Sequence, residues 1–261
     1  MQLPKRIMKM IAGETYESDS IGLSDSSVLI FDDKVLKIQE YSQEAENEYN
    51  MLRWLVGKLP VPEVYAYETC DGKAYLLMKK CPGRMACDEE YMRNPRQQVR
   101  LLAEGLKGLW KVSVGDCPTD QKLRYKLEAA QFKIRNGLVD LDHCETDTFA
   151  EGGFKNPEAL LQWLYDNQPE EELVLSHGDY CLPNVFFKDG HVSGFIDLGK
   201  AGIADKWCDI ALCYRSLSHN YSGRYNGRAY PGHDGLSLFR ELGIEPDWKK
   251  IKYYILLDEL F

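Results

Sequence analysis

Short apolar runs separated by polar and small residues fill most of the first eighty residues, and a helical period interrupts them once. The runs TYESDSIGLSDSS, VLIFDD and KVLKIQE are short, rich in β-branched and aromatic residues, and broken by Gly, Asp and Ser, the pattern of an antiparallel meander. EVYAYET and KAYLLMKK extend it on either side of a turn at Asp71 and Gly72. Between the two groups, Ala45, Tyr49, Leu52, Leu55 and Leu59 recur every three or four residues. Ser42 supplies a helix N-cap, and Pro60 and Pro62 stop the run. The pattern therefore predicts a β-rich segment with a single helix. Cys81-Pro82-Gly83 reads as a hinge that divides the chain into domains at 1–81 and 82–261.

Beyond the hinge the period is helical, over about Pro95 to Val114, Gln121 to Asn136, Pro157 to Asn167, Asp205 to Ser218, and Trp248 to the end. Two loops stand out, an acidic one at Asp140 to Gly153 and one rich in Gly and Tyr at Tyr221 to His233; loops of this length often act as lids or binding surfaces. No repeat or low-complexity segment appears. With 261 residues, 44% of them hydrophobic, the chain has enough material for two lobes sharing a cleft. No apolar run reaches the roughly 18–20 residues of a membrane span, and the N-terminus lacks a signal-peptide core, so the expected location is cytoplasmic. The eight cysteines form no CxxC pair and are expected to be reduced thiols.

Charge changes the picture further. The net charge of −9 argues against nucleic acid as a partner. Between Val139 and Asp179 there are eleven acids and one base, Lys155, which points to a cationic substrate.

The candidate chemistry lies in Ser176 to Ala211, SHGDYCLPNVFFKDGHVSGFIDLGKAGIADKWCDIA. Asp179, Asn184 five residues later and Asp197 thirteen after that each border a short strand-like run. Phosphoryl transfer needs a positioned hydroxyl and a hard cation held against the phosphates, and two carboxylates and an amide suit both tasks.

Those residues also carry a resemblance. HGD-x4-N from His177 to Asn184, and ID-x4-G-x2-D-x3-DIA from Ile196 to Ala211, resemble the signature of the aminoglycoside phosphotransferases and their protein-kinase-like relatives. LRWLVGKLPVPEV, EEELVLSHGD and PDWKKIKYYILLDELF extend the likeness over nearly the whole chain, and most closely to the 3'-phosphotransferases of that family. The resemblance implies an α+β, bilobal protein-kinase-like fold. A small N-lobe with a five-stranded antiparallel sheet and one helix would bind nucleotide, and a larger, mainly helical C-lobe would carry the catalytic loop, the metal site and the aminoglycoside-binding region. The implied reaction moves the γ-phosphoryl group of ATP or GTP to a hydroxyl, the 3'-hydroxyl, of an aminoglycoside and so gives antibiotic resistance. Neither a membrane nor an obligate protein partner is implied. The alternatives are a kinase of the same fold acting on a macrolide, choline, homoserine or an amino sugar, and a nucleotide-binding pseudoenzyme.

Residue by residue, the resemblance makes Asp179 the catalytic aspartate and Asn184 and Asp197 the Mg²⁺ ligands. His177 and Asp209 would brace the catalytic loop, and Asp205 would cap the following helix. Lys37 would contact the phosphates with Glu48 as its helix partner, Glu44 and Glu46 remaining alternatives. Ser24, Ser26 and Ser27 occupy the place of the phosphate-covering loop, without a GxGxxG, and the hinge from Met78 to Cys81 would meet the purine. Val35 stands where relatives can present a stacking tyrosine, which leaves ATP or GTP open. On the antibiotic side the candidates are Asp140, Glu145, Asp147, Asp258, Glu259 and the α-carboxylate of Phe261. Arg215 and Lys200 would contact phosphates or pair with these acids, whereas the two arginines of the Tyr221 to His233 loop are expected to point away from a polycation.

Overall fold

Strand alternation decides which face of the first sheet meets which helix. The computed structural model describes residues 3–18, 26–142, 144–225 and 227–261. Its first sheet is antiparallel, in the order β1-β2-β3-β5-β4, from β1 (Glu17–Ser18), β2 (Ser27–Ile30), β3 (Lys34–Glu40), β4 (Val64–Cys70) and β5 (Lys73–Lys79). Leu36 and Ile38 of β3 join Tyr75 and Leu77 of β5 in one buried cluster. Ile7 completes that cluster from helix α1 (Lys5–Met10). This corrects the expectation of a single helix before the hinge. A six-residue KRIMKM segment that buries only Ile7 has no period to read.

On the opposite face, Leu76 and Met78 join Met51, Leu52 and Leu55 of α2 (Gln43–Leu55). Lys37 pairs across the strands with Leu76 and shares that face. Ser42 caps α2, its Oγ accepting from Ala45 N at 3.1 Å.

The Leu76 cluster runs without a break into the helical part of the chain. There α3 (Glu89–Met92), α4 (Pro95–Trp110), α5 (Leu123–Arg135), α6 (Pro157–Asp166), α7 (Lys206–Ser222), α8 (Ser237–Leu242) and α9 (Trp248–Asp258) surround two small sheets. One orders β6 (Arg84–Met85), β8 (Val185–Lys188) and β9 (His191–Phe195) as β6-β8-β9. The other pairs β7 (Leu173–Ser176) antiparallel with β10 (Gly202–Asp205). Asn156, Asp205 and Asp247 cap α6, α7 and α9 through their side chains, and Pro95 and Pro157 open α4 and α6 at positions where a missing N–H is harmless. Helix α7 runs to Ser222, so Tyr221 and Ser222 are helical and the irregular segment starts at Gly223.

Gly83 at the hinge has φ +96°, and a β-carbon there would lie 2.1 Å from the Phe187 carbonyl oxygen. Only glycine allows the chain to pass so close to β8. No helix among the described residues is long and apolar enough to cross a membrane. All eight cysteines are free.

Candidate active site

The segment after β7 is held from beneath by α7. Asp209, fully buried, accepts from Ser176 Oγ at 3.0 Å, His177 N at 2.8 Å and Gly178 N at 2.9 Å. Burial pushes its carboxyl up, while His177 and these donors pull the other way. Gly178 has φ +83°, and a β-carbon on it would sit 2.0 Å from the Lys200 carbonyl oxygen. The loop is therefore pressed against the turn that follows Asp197. His177 is fully buried, edge-on to the rings of Tyr180 and Phe195, so it braces the loop from within the core.

Asp179 leaves this anchored loop half-buried. The short turn Leu182–Asn184 brings Asn184 back onto it, with Asn184 Nδ2 donating to both the carbonyl and Oδ2 of Asp179 at 3.0 Å. With its nitrogen so engaged, the Asn184 amide presents its oxygen as an acceptor. Ile196 N donates to the Asn184 carbonyl at 3.1 Å, which ties this turn to Asp197. Asp197 takes a left-handed conformation, φ 59° and ψ 57°, that Asp tolerates better than most residues, and the turn Leu198–Lys200 follows.

Lys37 reaches the same place from β3. Its Nζ lies 2.9 Å from Glu48 Oε2 and 2.8 Å from Asp197 Oδ1. Burial works against the ammonium, but the two carboxylates outweigh it and hold its pKa above the usual lysine value. Burial pushes the Glu48 carboxyl up against the pull of Lys37, whereas for Asp197 burial is outweighed by Lys37 and the pKa falls. Glu48, nearly fully buried, is thus the helix carboxylate that Lys37 meets.

Two residues that the sequence reading passed over join these parts. Asn47, buried beside Glu48 on α2, donates to the carbonyls of Gly199 at 2.8 Å and Ala201 at 2.9 Å, and its Oδ1 accepts from Thr119 Oγ1. The one signal was an asparagine, a weak helix former, inside a strong helical period.

At the expected nucleotide side, Ser24 lies outside the described residues, and Ser26 and Ser27 stand at the entry to β2. Met78 is buried opposite Val35. Lys79 N and Lys80 N already donate to the carbonyls of Glu63 and Asp33. The Cys81 thiol is pushed up to about 12 by burial.

The expected substrate acids fall into two groups. Asp258, Glu259 and Glu145 converge. Arg215 bridges Asp258 and Glu259, and Glu145 N donates to Glu259 Oε2 at 2.7 Å. For Asp258 burial alone would raise the pKa, and Lys200 and Arg215 bring it below the ordinary range. Glu259 is pushed up by burial. Glu145 Oε1 lies 2.6 Å from His219 Nε2, and Oε2 pairs with Arg224; these partners outweigh burial and lower its pKa. Asp140 and Asp147 stay on the exposed loop. The Phe261 ring lies 5.1 Å from Lys133 Nζ and 5.8 Å from Lys200 Nζ.

The loop arginines were expected to point away from this region. Arg224 instead points into it, while Arg228 pairs with Glu89. His219 and Arg224 were missed because 74 and 79 residues separate them from Glu145.

The sequence profile of the phosphotransferase enzyme family matches residues 15–239. An aminoglycoside 3'-phosphotransferase of Enterococcus faecalis is 39% identical, over all of this chain and 99% of that protein. Another from Staphylococcus aureus is 38% identical over the same shares. A crystal structure of an aminoglycoside 3'-phosphotransferase of type VIII superposes with a TM-score of 0.82 at 26% identity, covering 98% of this chain and 97% of that one. A Streptomyces rimosus aminoglycoside phosphotransferase in complex with ADP and streptomycin shares the fold, at 23% identity and a TM-score of 0.78, over 97% of this chain and 95% of its own. With the kinase-like α+β fold and the Lys37, Asp179, Asn184 and Asp197 constellation in place, the chain belongs to the phosphotransferase enzyme family, and the aminoglycoside 3'-phosphotransferases are its full-length relatives.

Proposed function

We propose that this chain transfers the γ-phosphoryl group of ATP to a hydroxyl of an aminoglycoside, the 3'-hydroxyl, and so confers resistance in the cytoplasm, where ATP and such antibiotics meet. The observation that carries the reading is that Lys37, held charged by Glu48 and Asp197, is tied to the Asp179–Asn184 pair through the Ile196 N–H bond to the Asn184 carbonyl. Residues 1–81 supply the nucleotide side and residues 82–261 the acceptor side. Lys37 faces the phosphates with its charge fixed. Asp179, oriented by Asn184, accepts the hydroxyl proton as the acceptor oxygen attacks.

The Asn184 amide oxygen and the Asp197 carboxylate are the hard oxygen donors that Mg²⁺ prefers. An ion held by two such donors completes its shell with waters and phosphate oxygens, as Mg²⁺ does. Bound there, Mg²⁺ would neutralise charge developing on the phosphates. Ser24, Ser26, Ser27 and the Met78 to Cys81 hinge complete the nucleotide side. Val35 offers the base apolar contact without stacking, so GTP is a second donor to assay. Glu145, Asp258, Glu259 and the Phe261 carboxylate receive ammonium groups, with Asp140 and Asp147 nearby on the loop.

The test is phosphate transfer from ATP to kanamycin, with the product's position read by NMR. Asp179→Ala should lower kcat by roughly 10²- to 10⁴-fold while nucleotide affinity is kept. No turnover of any aminoglycoside by the wild type, or full activity of the variant, would overturn the assignment.

A further inference from the structure

Glu145, given above to a substrate ammonium, is already covered by a cation of the chain itself. Arg224 directs a guanidinium nitrogen at Glu145 Oε2, and the same nitrogen lies 3.2 Å from His219 Nε2. His219 takes the other carboxylate oxygen at 2.6 Å, and Tyr225 stands edge-on against its ring at 5.0 Å. Each carboxylate oxygen therefore already has a partner, while the Glu145 backbone N–H is tied to Glu259.

The two partners differ in how firmly they are held. His219 belongs to the last turn of α7, its side chain 17% exposed. Arg224 lies beyond the helix end, after the left-handed Gly223, its backbone N–H closing on the His219 carbonyl at 3.0 Å, and its side chain is 39% exposed. Arg215, which bridges the neighbouring acids, is 18% exposed. Arg224 is thus the most exposed of these three side chains and the one that an incoming ammonium meets first. A carboxylate has lone pairs to spare, so the competition is electrostatic: an ammonium arriving at Glu145 meets the positive charge of the seated guanidinium, and each cation weakens the other's ion pair.

We propose that Arg224 is a displaceable occupant of the Glu145 ammonium subsite and a specificity-determining residue. The inference rests on the proposed function. A cationic amine on the substrate exchanges for the guanidinium, whereas a neutral hydroxyl at the same place leaves it seated. Arg224 therefore raises KM for every amine-bearing substrate and favours those whose remaining ammonium groups compensate at Asp258, Glu259 and the Phe261 carboxylate.

The experiment is steady-state kinetics and calorimetric binding with kanamycin for wild type, Arg224→Ala, Arg224→Lys, Glu145→Gln and the Glu145→Gln/Arg224→Ala double variant. Releasing a partly exposed charge-assisted bond corresponds to a fall in KM and Kd of roughly 3- to 10-fold in Arg224→Ala, with no matching fall in kcat and the KM for ATP unmoved. Arg224→Lys keeps a competing cation and should stay near the wild type. In the Glu145→Gln background the Arg224→Ala effect should vanish, since the cycle then lacks the group competed for. An unchanged or higher KM in Arg224→Ala, or the same fall without Glu145, overturns the inference alone while wild-type turnover keeps the proposed function. A wild type that neither binds nor phosphorylates kanamycin overturns both.

Discussion

Asn47→Ala tests whether α2 and the Asp197 turn work as one unit. Asn47 makes three bonds, to the carbonyls of Gly199 and Ala201 and from Thr119 Oγ1, and is 7% exposed. Its neighbour Glu48 holds Lys37, which in turn holds Asp197, two residues before Gly199. Gly199 itself packs so tightly on α2 that a β-carbon would come within 2.6 Å of Glu44 Cγ. Truncation leaves two carbonyls and a hydroxyl without a partner, each worth about 1–3 kcal/mol when buried and unsatisfied. Carbonyls retain a second lone pair, and water can enter the space the side chain vacates, so the total should fall near ~2–4 kcal/mol. For a chain of this length that is a Tm lowered by roughly 5–15 °C, within what a native state tolerates. Function should suffer at a temperature where the variant is fully folded. With α2 free to shift, kcat should fall by about ten-fold and the Mg²⁺ needed for half-maximal activity should rise, because both sides of the phosphate site lose their fixed spacing. Asn47→Asp should be worse than Ala, since it aims a buried carboxylate at two carbonyls. Melting by circular dichroism and kcat as a function of Mg²⁺ decide the matter. A Tm within 2 °C of wild type would refute the packing argument, about 2–4 °C being the shift per kcal/mol at this size. A lowered Tm with unchanged kcat and Mg²⁺ dependence would refute the coupling.

Asp209→Asn should lower Tm and kcat together: an amide keeps the bonds of one oxygen but faces the other donors with N–H, at a cost of about 1–3 kcal/mol. A normal kcat would show that the Asp179 loop does not need this anchor. The Asp258 carboxyl is held below its ordinary range by Lys200 and Arg215 despite burial, so the folded state binds its proton less tightly than the unfolded chain. Its stabilisation is fully present above the unfolded value of about 3.9 and is lost as pH falls through the lower folded value, so Asp258→Asn should be less stable than wild type at pH 7 and flatten the acid limb of Tm against pH. An acid limb unchanged by the substitution would show that Asp258 does not carry it. Glu259, pushed up by burial, acts in the opposite sense at slightly higher pH, which is why the variant rather than the raw profile is the readout.

What could be read in the sequence was whatever local period or one chemical task fixes. For Lys37 the resemblance gave the lysine and, by its distance from Trp54, Glu48 as partner with Glu44 and Glu46 open; the structure selects Glu48, which is buried on α2 at 2.9 Å from Lys37 Nζ. The spacing of Asp179, Asn184 and Asp197 pointed to one reaction, and the resemblance placed Asp209 beneath their loop, where it accepts from Ser176, His177 and Gly178. Helix α1 was not legible, because one buried residue in six makes no pattern. The link from Asn47 to Thr119 spans 72 residues and that from Arg224 to Glu145 spans 79; both depend on how elements pack, which neither period nor composition records. The error over Arg224 has a physical root. A loop arginine repels a polycation, but the partly buried acids need a counter-charge before any substrate arrives, and Arg224 supplies it to Glu145.

That requirement bears on how such a site gains affinity. Glu145, Asp258 and Glu259 lie close together and are partly or largely removed from water, so bare carboxylates there would repel one another and pay for desolvation. Arg215, Lys200, His219 and Arg224 relieve this in the folded chain. On the proposed function, a polycation entering here would gain the difference between its own ion pairs and those it replaces, not their full strength. The more firmly held pairs, Arg215 with Asp258 and Glu259, keep those acids in position and can stay in place while the acids accept a further ammonium. The exposed pair at Glu145 is exchangeable, so discrimination among substrates should concentrate there, where a change of one internal cation alters affinity without disturbing the groups that carry out the transfer.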